Sequence, residues 1–429
     1  MGKKIKIFYL IVLVLVVFIT TKPYILGQND LSRYYAIIAL TERHTFAVDF
    51  ENHPFVDAVY AHGKYYSSKP PVLSLLGAGV YWVMYHLFQQ KLYISTIYEN
   101  LSVYFINLVL IGGSIILLII FFFKSLKYYN LEDKNRYFLS SILVLSTLIF
   151  SYSGALNNHI PCAALIFAAF YYLLKQIKEG YTQGRAFVSG FYLAAAFAVE
   201  PLSSIFFIFC LFIFQFFNIN FRRHLFYYIF GLAPMFIFYA LLNIYSIGRL
   251  LPTYFYKDLY NFPGSYWLNP IGFDVLSQPK IIYLFNLLVG THGLFIYSPI
   301  LIFFFYGLKK IIINQEKREI KGLTYTIVIS IIIYIISVVF ITKNFGGDAY
   351  GARWFISFVP LLFFYLAIYY PEIKKRYHIL FVLLLVLSII FSILGYLKPW
   401  SYNAAIMFGK IYYIPLLGKF GYLSDIFLR

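Results

Sequence analysis

The chain is short of charge. Only 12% of its 429 residues are Asp, Glu, Lys or Arg, against roughly 25% in an ordinary soluble domain. Acidic residues are the scarcest, 17 against 35 basic ones. There are two cysteines, Cys162 and Cys210, both inside apolar runs. They fit small core residues and show neither a disulfide framework nor a thiolate metal motif. No soluble domain of any size fits between the apolar runs. The formal charge of +18 is not a nucleic-acid footprint, because the basic residues fall in short clusters between those runs.

What is present is hydrophobic length. Residues of the apolar class make up 61% of the chain, and runs near 20 residues recur from end to end, each able to cross a core of about 30 Å. The first, 8–26, follows Lys3, Lys4 and Lys6. It reads as a retained span: it is long for a signal peptide and no small-x-small cleavage site follows. With the N-terminus cytoplasmic, the loops on that side carry Lys124, Lys127, Lys134, Arg136, Lys175, Lys178, Arg185, Arg222, Arg223, Lys309, Lys310, Lys317, Arg318, Lys321, Lys374, Lys375 and Arg376 as well, satisfying the positive-inside rule. This orientation requires 72–88 to lie in or dip into the outer interface rather than cross.

The expected fold is therefore an all-α polytopic membrane protein with about eleven transmembrane helices, at 8–26, 101–123, 137–154, 160–174, 186–200, 202–217, 225–247, 293–308, 322–342, 354–370 and 377–397. The C-terminus falls outside. One domain, 1–429, would carry a large first extracytoplasmic loop (27–100) with interfacial helices, a second (248–292) interrupted by Pro252, Pro263, Pro270 and Pro279, and a short tail (398–429).

Six acidic residues (Glu132, Asp133, Glu179, Glu316, Glu319, Glu372) fall on the cytoplasmic side and the other eleven outside or at the outer boundary. Five clusters there carry candidate chemistry. Asn29-Asp30-Leu31-Ser32-Arg33 follows the first span; Asp30 reads either as a helix cap or as a carboxylate that takes a proton from an acceptor hydroxyl. Asp57 precedes His62-Gly63-Lys64-Tyr65-Tyr66-Ser67-Ser68-Lys69-Pro70-Pro71. The prolines stiffen the chain after Lys69, which reads as a snorkelling lysine or a ligand for lipid phosphate. Asn157-Asn158-His159 occupies a short turn. Glu200-Pro201 and His292-Gly293 stand at helix ends. In Phe345-Gly346-Gly347-Asp348-Ala349-Tyr350-Gly351-Ala352-Arg353-Trp354, three glycines permit tight turning. Arg353 is a membrane-belt anchor or a fork for phosphate.

In order, these motifs resemble the GT-C membrane glycosyltransferases, particularly the branch of aminoarabinose transferases and protein O-mannosyltransferases. The resemblance rests on Asn29-Asp30 with Ser32-Arg33, Gly63-Lys64-Tyr65-Tyr66-Ser67-Ser68-Lys69-Pro70-Pro71, Asn158-His159, His292-Gly293-Leu294-Phe295 with Ser298-Pro299, and Tyr350-Gly351-Ala352-Arg353 ahead of Pro360. It implies transfer of a sugar from a polyprenyl-phosphate donor to an acceptor hydroxyl (glycan, lipid or protein) on the extracytoplasmic face of the cell membrane, with inversion. Asp30 would be the general base. Lys69 and Arg353 would bind the donor phosphate, and Arg33, Asp57, His62, Tyr66, Asn158, His159, Glu200, His292 and Asp348 would line or support the cavity. Many relatives carry Asp-Glu where this chain has Asn29-Asp30, so no metal or other cofactor is expected. The rival readings are a transporter or flippase for lipid-linked saccharides, and a polymerase or ligase. Span centres nearly free of charge favour surface chemistry over alternating access.

Overall fold

The computed structural model describes residues 3–95, 97–270, 272–275, 278–400, 404–407 and 410–416. Helix α1 (Lys3–Thr20) leads to α2 (Gln28–Arg43), three short strands β1 (Ala47–Val48), β2 (Ala58–Ala61) and β3 (Lys64–Ser67), and α3 (Pro71–Leu87). Then come α4 (Leu101–Asn107), which continues through a π-helical turn into α5 (Gly113–Leu126), α6 (Asp133–Leu145), α7 (Leu148–Ser151), α8 (His159–Glu179), α9 (Gln183–Val199), α10 (Pro201–Phe217), α11 (Ile219–Arg222) and α12 (Leu225–Ile247). Short 3-10 turns fill much of the way to α13 (Lys280–Leu288), α14 (Leu294–Tyr297), α15 (Phe303–Ile313), α16 (Arg318–Ile341), α17 (Val359–Ile368) and α18 (Tyr370–Leu397). Strands β4 (Ala404–Met407) and β5 (Lys410–Tyr413) pair antiparallel.

Among the described residues, five helices are long and apolar enough to cross a membrane: Leu101–Tyr129, His159–Glu179, Leu225–Ile247, Arg318–Ile341 and Tyr370–Leu397. Shorter apolar helices include Ile11–Thr20, Pro71–Leu87, Pro201–Phe217 and Arg353–Ile368. The chain is a multi-pass, largely helical membrane protein. Three stretches expected as single spans are broken. Residues 137–154 divide at Ser146-Thr147, 293–308 divide at Ser298-Pro299, and 354–370 start on a 3-10 turn. Such breaks strand backbone groups that lipid cannot satisfy. Here serine hydroxyls meet them: Leu148 N–H donates to Ser298 Oγ (3.2 Å), Ile300 N–H to Ser388 Oγ (2.9 Å), and Ser392 Oγ to the Leu145 carbonyl.

The fold is not purely helical, which corrects the all-α expectation. The segment after α2 forms a sheet of order β1-β3-β2, antiparallel throughout, with Tyr66 opposite both Ala47 and Val59. Tyr65, Tyr66, Val59 and Tyr60 suit a pleated, half-buried surface. The turn from β2 to β3 is His62-Gly63, with φ 49° and 74°, the left-handed pair that a two-residue hairpin favours.

Two long-range ties set the helix arrangement. Lys22, buried just past α1, donates to the carbonyls of Tyr396 (2.5 Å) and Leu397 (3.0 Å), and Tyr396 Oη donates to Thr20 O (2.9 Å). Helices α9 and α12 meet at facing glycines: a Cβ on Gly190 would lie 2.1 Å from Tyr228 O, and one on Gly231 would lie 2.0 Å from Phe187 O. Small residues let backbones approach this closely. Alanine at Gly190 or Gly231 should therefore lower stability by about 1–3 kcal/mol through overpacking. Alanine at Gly113, where a Cβ meets nothing within 4 Å, should be neutral or gain up to ~1 kcal/mol of helix propensity. Thermal unfolding of the detergent-purified variants checks both.

Candidate functional site

Helix α2 begins at Gly27, whose N–H donates to Asp30 Oδ1 (2.9 Å), while Leu26 N–H donates to Oδ2 (3.1 Å). Asp30 is 1% exposed and serves the cap geometry that its position permits. Burial pushes its carboxyl up to about 6, against the opposing pull of these amides and of Arg33. The carboxylate sits behind Asn29 and Gln28, which reach the cavity described next.

That cavity, of about 590 Å³, is lined by Asp57, Lys69, Asp274, Asn344, Asp348 and Arg353, with Trp267, Trp354 and Trp400 around them. Asp57 and Lys69 are carried by the small sheet: Ser68 N–H donates to the Asp57 carbonyl (2.9 Å), so the residues before β2 and after β3 are fastened together. Pro70 then caps α3 with Pro71 at its first position, where a missing N–H costs nothing. Lys69 Nζ lies 2.7 Å from Asp57 Oδ2. Burial, then Arg33 and Arg353, push Lys69 down, and Asp57 opposes them.

Arg353 comes from the glycine-rich loop. Gly346 has φ 92°, and a Cβ there would stand 2.7 Å from Arg353 Nε, so only glycine lets the loop lie against the guanidinium. The guanidinium rests over the Trp400 ring at 4.6 Å. Its Nε is buried without a hydrogen-bond partner, and among the described residues no carboxylate forms an ion pair with it. Stacking on indole compensates part of its desolvation, and the remainder is a standing demand for an anion.

Behind the wall lies a buried polar chain. Arg33 Nη2 donates to Asn158 Oδ1 (2.5 Å), and Asn158 Nδ2 donates to Glu200 Oε2. Arg33 Nη1 holds the Asn29 carbonyl (2.6 Å). His159 Nδ1 stands 3.3 Å from Glu200 Oε2, outside hydrogen-bond geometry. Burial, then the charge of Arg353, bring Arg33 down to about 10, with Asp57, Glu200 and Asp30 opposing. Burial would raise Glu200, but His159, Arg33 and Arg353 together hold it below the usual carboxylate range.

Of the residues expected at one site, Asp57, Lys69, Asp348 and Arg353 line the cavity. Arg33, Asn158, His159 and Glu200 form the chain behind it. His292 is buried under the loop, stacked on Phe345 at 4.1 Å, and burial pushes its imidazole down to about 3. Two expectations are corrected. His62 is exposed on the hairpin tip, because its left-handed turn points it away. Tyr66 packs in an apolar cluster with Phe46, Val59 and Leu259 and shares a small side pocket with Lys69 instead of lining the cavity. Asp274, held by Tyr266 Oη (2.7 Å) and Asn344 Nδ2 (3.0 Å), was missed. So were Trp267 and Trp400. The usable signal was tryptophan itself: of four in the chain, three line this cavity. Among the described residues no three His, Cys, Asp or Glu side chains group as a metal site. A second groove of about 700 Å³ between α10 and α16 is largely apolar, with Arg318, Glu319, two asparagines and Thr326 as its polar lining, and gathers no comparable set of charges.

No family model matches the chain, and no curated protein matches it by sequence. Solved structures do match it. The crystal structure of ArnT from Cupriavidus metallidurans bound to undecaprenyl phosphate superposes with a TM-score of 0.56 at 10% identity, covering 99% of this chain and 79% of that one. The same protein in the apo state gives 0.53 at 10% identity, covering 96% and 76%. The Archaeoglobus fulgidus oligosaccharyltransferase, in complex with Zn and sulfate, gives 0.51 at 14% identity over 92% of this chain, which spans about half (54%) of that protein's length. The chain therefore has the fold of the GT-C-like membrane glycosyltransferases.

Proposed function

We propose that this protein is a membrane glycosyltransferase that moves a sugar from a polyprenyl-phosphate donor to an acceptor hydroxyl, by single displacement with inversion, at a site on the extracytoplasmic face. The observation that carries the reading is Arg353, a buried guanidinium on the cavity wall with an indole beneath it and, among the described residues, no carboxylate paired to it. A phosphate suits that vacancy in charge and in its acceptor-only oxygens. Lys69, on the same wall, supplies a second cation.

Both would act most strongly late in the reaction. As the sugar leaves, the phosphate gains a full charge, and donors fixed in a low-dielectric cavity stabilise that charge without reorganising. The resemblance to ArnT, whose structure holds undecaprenyl phosphate, supports the donor class. The clustering of Lys and Arg in the loops at the opposite end supports the sidedness.

Purified protein given a panel of polyprenyl-phosphate sugars and cell-envelope acceptors should release free polyprenyl phosphate. Arg353→Ala should slow release by about 10²–10³-fold. Lys69→Ala should mainly weaken donor binding. An undiminished rate in Arg353→Ala, or no release from any donor, would sink the proposal. Sidedness has its own test. Cys162 and Cys210 are both buried, so an impermeant maleimide on intact cells should label His62→Cys on the exposed hairpin and leave Lys134→Cys unlabelled. The reverse pattern would invert the topology.

A further inference from the structure

Resting on the glycosyltransferase reading, we infer that Asp57, not Asp30, is the carboxylate that takes the acceptor's proton, and that the donor's own phosphate releases it for the task by drawing Lys69 away. A general base must reach the proton it removes. Asp30 has both oxygens committed to the Leu26 and Gly27 amides and lies outside the cavity lining. Asp57 lies on the wall. Its backbone carbonyl is gripped from two sides, by the Ser68 N–H and the Ser32 hydroxyl, each at 2.9 Å. The side chain therefore projects from a fixed point. Oδ2 is taken by Lys69, and among the described residues Oδ1 has no hydrogen-bond donor.

In the empty site Asp57 Oδ2 is occupied by the Lys69 ammonium at 2.7 Å, so that oxygen is not open to an acceptor hydroxyl. A phosphodiester seated against Arg353 competes for Lys69 with several acceptor oxygens. As Lys69 turns to it, Asp57 Oδ2 is freed to meet the acceptor hydroxyl. The base is thus uncovered only when donor is present.

The step balances. The acceptor O–H bond breaks and its proton passes to Asp57. The acceptor oxygen bonds to the anomeric carbon. The bond from that carbon to the phosphate oxygen breaks, and its electron pair leaves on the polyprenyl phosphate, held by Lys69 and Arg353. Asp57 then gives the proton to the released phosphate or to water. No other reactant is needed.

The distinctive consequence is that Asp57 and the phosphate compete for one lysine. Undecaprenyl phosphate is the probe, and quenching of the tryptophans that line the cavity reads its binding. Asp57→Asn should bind it about tenfold more tightly than wild type, a typical size for two linked equilibria, while transfer falls by about 10²–10⁴-fold. Lys69→Met should bind it more weakly. Asp57→Glu, which keeps a carboxylate, should recover part of the transfer that Asn loses. Equal or weaker binding by Asp57→Asn overturns the inference, as does unimpaired transfer by it. Matching thermal unfolding of Asp57→Asn and wild type separates these outcomes from misfolding, and Asp57→Glu stands in if Asn unfolds. Failure of wild-type protein to bind undecaprenyl phosphate at all would instead overturn the glycosyltransferase reading beneath.

Discussion

The molecule is organised around charge placed where water is scarce. Three cations, Arg33, Lys69 and Arg353, are gathered in one neighbourhood with three carboxylates, Asp30, Asp57 and Glu200. Burying one such ion alone costs several kcal/mol. Lys69 is matched by Asp57, and Arg33 is matched by Glu200 through the amide of Asn158. Arg353 has no carboxylate within ion-pair distance among the described residues, and its guanidinium lies over Trp400. Of the three cations it is the one without a direct polar partner among the described residues, which leaves its guanidinium for an anion in the cavity.

The fold supports this in two ways. The small sheet brings the residue before β2 and the residue after β3 side by side, so a carboxylate and an ammonium twelve positions apart share one wall. The glycine-rich loop carries the guanidinium to the same wall from the far end of the chain, and Phe345 is pinned beneath it by His292. Serine hydroxyls in the broken helices supply the hydrogen bonds that lipid would withhold. Irregular backbone is thereby tolerated close to the site.

Some of this was legible in the sequence. Apolar run lengths gave most helices, and Pro70-Pro71 and the glycines before Arg353 marked the two donors of positive charge. The breaks at Ser146-Thr147 and Ser298-Pro299 were hidden because a run of apolar letters does not reveal which backbone groups find partners. The sheet was hidden because its strands are two to four residues long. Motif adjacency also misled. His62 and Tyr66 lie within a few residues of Lys69, but a left-handed turn and strand alternation send them elsewhere. For Asp30, spacing favoured a cap over a base, and its carboxylate does accept from the Leu26 and Gly27 amides. Asp274 reaches the cavity through Asn344, 70 positions away, a distance no local pattern spans.

The clasp of Lys22 on the carbonyls of Tyr396 and Leu397 bears on how the protein is made. One partner is translated several hundred residues before the other. At ordinary elongation rates of about 5–20 residues per second, the lysine waits tens of seconds beside the first helix with its designed acceptors not yet synthesised. This clasp therefore closes only after Leu397 has been made, and until then α1 is held by fewer contacts than the finished molecule gives it.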